Sequence, residues 1–388
     1  MEEAASHKII RRDHVGAPAK HRERIVESRQ FIGKAMWKLH WALVLISGLV
    51  ITAYPQEFHA TPLTDLKAGT YKGFEGGLYE SGDNDIPGEH NQAGRERASE
   101  VRPLNAEGEP DPQGKIVFTS IGMSNSAVEF GAFMRFAAQN RGVEHSRLVI
   151  VNGSFGGMTA CMWTVPEGPP PCSPHAGNEF DRVRENSLAP KGLAEKQVQI
   201  AWLLEANGGP GVLGWRPLCD PQVSGCANSK DKTDAVRYEQ QLGEIVRAAK
   251  KRWPNLRIVF ISSREYAGYA KTPVSPEPYA YEYGFSSKWF IHAQINQMRT
   301  GKIDPVAGDL DYLKGIAPWV VWGPYLWADG SNPRSDGLVW CNGQRTSPCK
   351  SETDFQEDGT HPTTVGTMKA GRLLLDYFLT SPYAKWFR

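Results

Sequence analysis

Two short stretches of this chain carry residue types that could together do nucleophilic chemistry. The first is Gly122-Met123-Ser124-Asn125-Ser126, and the second, near the far end, is Asp358-Gly359-Thr360-His361-Pro362. A serine hydroxyl is a weak nucleophile until a base takes its proton, and a histidine is that base when a carboxylate fixes its tautomer and stabilises its charged form. Asp358 stands three residues before His361, close enough to orient the imidazole. The same residues admit plainer readings. Ser124 could be a helix N-cap, Asp358 could cap a turn beside a polar His361, and a metal site would need further His or carboxylate ligands that the sequence does not obviously supply.

Chemistry of this kind needs elements that bring the two stretches together. Short apolar runs at 116–121, 147–151, 198–204, 257–262 and 319–322 read as strands, and helical patterns lie between them at 126–139, 233–253, 286–298 and 362–379. The clearest helix has Ala235, Tyr238, Leu242, Ile245, Val246 and Ala249 on one face, and Pro254 stops it. Pro362 suits the first turn of the last helix. Strands alternating with helices predict an α/β fold, a three-layer α/β/α sandwich around a five-stranded parallel sheet. Ser124 then sits on a strand-to-helix turn among free backbone N–H groups that could stabilise an oxyanion.

Ligands bind such sheets at the carboxyl ends of the strands. Insertions at about 164–190, 206–232 and 327–357 leave from those ends and could wall a pocket. Arg264, Tyr266 and Tyr269 follow the fourth strand, and Trp322, Tyr325 and Trp327 follow the fifth. Arg264, Tyr266, Trp322 and Tyr325 are therefore expected to bind substrate, their aromatic faces suiting sugar rings or aromatic acyl groups; plain packing is the alternative.

The motifs together resemble those of SGNH (GDSL-like) hydrolases. GMSNS after strand one, the Gly-rich turn Gly156-Gly157-Met158-Thr159 after strand two, Asn207 after strand three and DGTHP before the last helix look like blocks one, two, three and five of that superfamily. They occur in the same order over roughly residues 115–388, and GMSN is similar to the GQSN of sialate and carbohydrate O-acetylesterases. The resemblance implies a flavodoxin-like sandwich and cofactor-free ester hydrolysis through an acyl-enzyme. Ser124 matches the nucleophile, His361 the base and Asp358 its orienter. The implied oxyanion hole is the Ser124 N–H, the Gly157 N–H and the Asn207 side chain. Block three departs from Gly-x-Asn-Asp, because this chain has Leu204-Glu205-Ala206-Asn207-Gly208; Glu205 is the alternative to Asn207. Gly82-Asp83-Asn84-Asp85 spells the motif better but precedes the nucleophile strand and follows no apolar run.

The resemblance points to a small acyl group, such as acetyl, removed from a small-molecule or carbohydrate ester. An acyltransferase with the same triad and a non-catalytic carbohydrate-binding module are the competing readings. With 388 residues, 40% of them hydrophobic, the chain can bury a real core, and a net charge of +1 provides no field for nucleic acid or an anionic membrane. An apolar run at 37–54 follows a segment rich in Lys and Arg, which reads as a cleaved signal peptide or an uncleaved signal anchor, with a buried helix as the alternative. Either export route puts the chain from about residue 57 outside the cytoplasm, with the membrane a partner only through that anchor. The cysteines fall into close pairs, Cys161 with Cys172, Cys219 with Cys226 and Cys341 with Cys349, as local disulfides in an oxidising compartment would, with a zinc site or free buried thiols as the alternatives. The expected organisation is a leader over 1–56, an extended Gly/Pro-rich lead-in over 57–113 and a catalytic domain over 114–388.

Overall fold

The computed structural model describes residues 58–164, 178–220, 222–223, 226 and 233–388. The apolar run at 37–54, Cys172 and parts of the expected insertions lie outside the described residues.

Five runs rich in apolar residues form one parallel sheet: β1 (Ile116–Gly122), β2 (Leu148–Val151), β3 (Val198–Leu204), β4 (Ile258–Ile261) and β5 (Trp319–Trp322). Every residue of β1, β3, β4 and β5 is buried, as a sheet covered on both faces requires. The strand order is β2-β1-β3-β4-β5, the flavodoxin-like order, whose switch point lies between β1 and β3. Ser124 follows β1 after Met123.

Alternation along the strands divides the core in two. Val117, Ala201, Leu203, Val259 and Val320 pack with apolar residues of α3 (Asp234–Arg252) and α4 (Tyr279–Thr300). Phe118, Ile200, Trp202, Phe260 and Val321 pack on the other face with α2 (Ser124–Gln139) and α5 (Thr364–Thr380). Phe118 is fully buried, its ring 4.9–5.8 Å from those of Phe130, Phe133, Phe378 and Trp386; burial of such a side chain contributes about 2–3 kcal/mol. The sandwich is thus an α/β/α fold, as the sequence predicts.

Several boundaries differ from expectation. Helix α4 starts at Tyr279, seven residues before 286, because Tyr279, Tyr281, Tyr283 and Phe285 place an aromatic at every second position and hide the helical period. Pro362 lies outside α5, whose N-cap is Thr363, with its hydroxyl accepting from the Gly366 N–H. The lead-in is not extended throughout, since Gly88–Ser99 forms helix α1. Its buried face is His90, Gly94 and Ala98, too small and polar to register as an apolar stripe. A side chain at Gly94 would collide with the Trp319 indole. His90 stays neutral, its pKa pushed down by burial to about 4 while its ring bonds the Val320 carbonyl at 2.9 Å and the Trp319 N–H at 3.2 Å.

The start of the lead-in is equally bound. Tyr266 donates to the Phe58 carbonyl at 2.6 Å, Tyr281 to that of Thr61 at 2.6 Å, and Trp322 to that of Leu78 at 2.9 Å, while the Leu63 N–H donates to Tyr325 at 3.2 Å. Leu63 is fully buried.

Cys219–Cys226 and Cys341–Cys349 are disulfides. Cys161 is also disulfide-bonded, and its expected partner Cys172 lies outside the described residues. Mass spectrometry of unreduced peptides should find Cys161 linked to Cys172; a crossed pairing would show that the bridge is not local. Among the described residues no helix is long and apolar enough to cross a membrane.

Candidate active site

The turn that carries Ser124 is built by close approach of backbones. At the end of β1 a side chain on Gly122 would collide with the Ser126 hydroxyl and the Leu204 carbonyl, so only glycine lets the chain turn there. Met123 is extended, and Ser124 opens α2. The first-turn N–H groups of a helix have no intrahelical partner and lie at the positive end of its dipole. Ser124 is half-buried, whereas Ser126 is fully buried and donates to the Met123 carbonyl at 2.8 Å. Of the two serines, Ser124 alone is placed to meet a ligand.

Asp358 organises the second stretch. One carboxylate oxygen accepts the Thr360 N–H at 2.9 Å and the His361 N–H at 3.0 Å; the other faces His361 Nδ1 at 2.5 Å. Burial opposes ionisation of this carboxyl, but these bonds outweigh it and hold the pKa below the ordinary carboxylate range. Gly359 has φ +65°, and a side chain there would strike the Tyr269 carbonyl, so the loop needs glycine for both conformation and space. The Lys271 N–H, donating to the Asp358 carbonyl at 2.8 Å, fixes the loop to the segment after β4.

The two stretches meet, with Ser124 Oγ 3.0 Å from His361 Nε2. With Nδ1–H donated to Asp358, Nε2 is left to accept the serine proton. The side chains of His361 and Asp358 are 38% and 32% exposed, so water reaches the site. An arrangement of this kind can deprotonate a serine hydroxyl as it attacks and return the proton to a leaving group.

The turns after β2 and β3 lie beside the end of β1. The Phe155 N–H donates to the Gly122 carbonyl at 3.1 Å and the Ala160 N–H to that of Ala206 at 3.0 Å, which ties the three strand ends together. Gly157 is exposed at φ +82° with open space where a side chain would be, and its N–H bonds no other group among the described residues. Asn207 is buried, and its Nδ2 donates to both oxygens of Asp234 at 3.2 and 3.3 Å. The aspartate missing after Asn207 in sequence is therefore met in space by one at the start of α3.

Glu205, the alternative to Asn207, is 1% exposed, and burial pushes its carboxyl well above the ordinary range. One of its oxygens accepts the Ala206 N–H at 3.2 Å. Gly82-Asp83-Asn84-Asp85 is a structural turn, with Asn84 bonding the Thr64 carbonyl and the Leu78 N–H.

The structure does not place the four expected substrate-binding residues on an open surface. Arg264, Tyr266, Trp322 and Tyr325 are all at most 5% exposed. Tyr266, Trp322 and Tyr325 bond the lead-in as described above, and Arg264 lies among Tyr283, Glu277, Tyr238 and Glu205. They follow strand ends, as read from sequence, but segment 58–78 covers those ends. Two residues beside the site were missed by sequence reasoning, Asp234 behind Asn207 and Asn125 behind Ser124. Asn125 was visible within GMSN; Asp234 carried no signal beyond its place at a helix start. Among the described residues no group of three or more His, Cys, Asp or Glu could hold a metal ion.

No protein-family model and no curated protein sequence matches this chain. Among solved structures it is similar to a gut microbial diltiazem-metabolizing enzyme, at 12% identity and a TM-score of 0.31, covering 71% of this chain and 48% of that one. This chain thus spans about half the length of that enzyme. It is also similar to an extracellular lipase from Streptomyces rimosus, at 14% identity and a TM-score of 0.28, covering 67% of this chain and 99% of that one. Likenesses this faint carry no weight for function.

Proposed function

We propose that this chain is an exported serine esterase that removes a small acyl group, such as acetyl, from a carbohydrate or similar ester. The observation that carries this reading is the continuous line from Asp358 through His361 to Ser124, with contacts of 2.5 and 3.0 Å. In the proposed reaction Ser124 Oγ attacks the ester carbonyl while its proton passes to His361 Nε2. His361 returns that proton to the departing alkoxide, leaving an acyl-serine. Water, deprotonated by the same imidazole, then releases the acid and restores Ser124. The exposure of His361 favours water over an acceptor alcohol, and therefore hydrolysis over acyl transfer. Disulfides at Cys219–Cys226 and Cys341–Cys349 support an oxidising location. A panel of acetyl, longer acyl and aromatic esters, assayed with the wild-type chain and with Ser124→Ala, tests the reading. Turnover that survives the substitution, or that is absent for every ester, removes it.

The oxyanion donors in this reading are the Ser124 N–H, the Gly157 N–H and the Asn207 side chain. Asn207→Ala should lower kcat by roughly 10²- to 10³-fold with little change in KM, because it removes a bond formed mainly in the transition state. An unchanged kcat accompanied by a lower melting temperature would instead confine Asn207 to supporting Asp234.

A further inference from the structure

We propose that Asn125 is a positioning residue that fixes the His361 loop onto the helix carrying Ser124. This rests on the triad reading above and extends it to a residue that touches none of the reacting atoms.

Asn125 directly follows Ser124 in the first turn of α2 and is 1% exposed. Its Nδ2 donates to the Thr360 carbonyl at 3.0 Å and, over a longer 3.4 Å, to Glu265 Oε2. A carbonyl can only accept, so this contact sets which end of the amide faces the loop. The acceptor end has no partner: Asn125 Oδ1 is buried without a hydrogen bond among the described residues. The side chain is present for its donor.

The Thr360 carbonyl belongs to the peptide unit that leads into His361. The N–H of that unit is held by Asp358 at 3.0 Å, so the peptide is gripped at its oxygen by Asn125 and at its nitrogen by Asp358. Besides the Gln356 N–H on the His361 carbonyl at 2.8 Å, two other contacts hold the loop, the Lys271 N–H on the Asp358 carbonyl and the Thr272–Thr360 hydroxyl pair at 2.8 Å. Both run to the segment after β4. Apart from the Ser124–His361 contact itself, the Asn125 bond is the one that joins the base's loop to the nucleophile's helix among the described residues. Glu265 is fully buried beside it and steadies the amide from behind.

Without that bond the 3.0 Å separation of Ser124 Oγ and His361 Nε2 depends on a loop whose remaining hydrogen bonds run to Gln356 and to the segment after β4. A misplacement on the order of 1 Å costs about 10²-fold in rate. The test compares the wild-type chain with Asn125→Ala and Asn125→Ser. Serine suits a helix start and keeps the fold, but it is too short to reach the Thr360 carbonyl. Two quantities are read: kcat and KM on the best ester of the panel, and the downfield proton resonance of His361 Nδ1–H, which reports its bond to Asp358 without needing turnover. We expect kcat to fall about 10- to 100-fold with KM within about twofold, and the resonance to broaden or vanish while thermal melting stays cooperative. A folded variant with wild-type kcat, or with an unchanged resonance, overturns the proposal. If the wild-type chain hydrolyses no ester, the functional reading fails by itself. The resonance in wild type and variants then still decides whether Asn125 positions the loop.

Discussion

Ser124→Ala should reduce ester turnover by at least about 10⁴-fold and leave the melting temperature close to its wild-type value. The Ser124 hydroxyl is half-buried and bonds only His361 among the described residues, so deleting it removes one partly exposed hydrogen bond, about 1 kcal/mol at most. The loss of rate is larger because no other hydroxyl can take its place: Ser126 is fully buried and already donates to Met123. A serine-directed phosphonate should add its mass to the peptide containing Ser124 in the wild-type chain and to no peptide of the variant. Labelling at Ser126 would mean that the turn rearranges in solution. Full activity in Ser124→Ala would end the serine mechanism.

Asp358→Asn should cost about 10⁴-fold in kcat, and the hydrogen bonds of the loop say why. The N–H groups of Thr360 and His361 both point at one carboxylate oxygen of Asp358, so an asparagine must keep its carbonyl there. Its NH₂ group then takes the position of the oxygen that faces His361 Nδ1. A donor there requires Nδ1 to become an acceptor and moves the ring proton to Nε2, where it blocks proton transfer from Ser124. The wild-type carboxyl has its pKa depressed in the folded state. Its contribution to stability is accordingly complete above the ordinary carboxylate value of about 3.9 and is lost as pH falls through the lower, folded value. Loss of activity between neutral pH and about pH 4 therefore does not arise from Asp358. A carbon-13 NMR titration of the labelled aspartates checks this: a carboxyl of Asp358 titrating above the ordinary range would contradict the bonding pattern.

Much of the scaffold was legible because the strands are short apolar runs with clear ends. The ranges 198–204 and 319–322 coincide with β3 and β5, and the partners Ser124, Asp358 and His361 were legible as a set because local turns display them at strand and helix ends. What the sequence concealed was non-local. Trp322 and Tyr325 follow a strand end, but nothing near them indicates that Leu63 and Leu78 lie on top. Asp234 stands 27 residues from Asn207, so its service to that amide is set by how α3 packs, not by any motif. Helix α1 escaped notice because Gly94 is there to make room for an indole rather than to bury surface of its own.

The covering of β4 and β5 by segment 58–78 also constrains the order in which the molecule can assemble. The bonds that hold it join residues separated by 208, 220 and 262 positions, Phe58 to Tyr266, Thr61 to Tyr281 and Leu63 to Tyr325. Closing loops of that length carries a large entropic penalty before any contact is made, which slows folding. The earliest part of the described chain cannot find its seat until nearly the whole sheet exists.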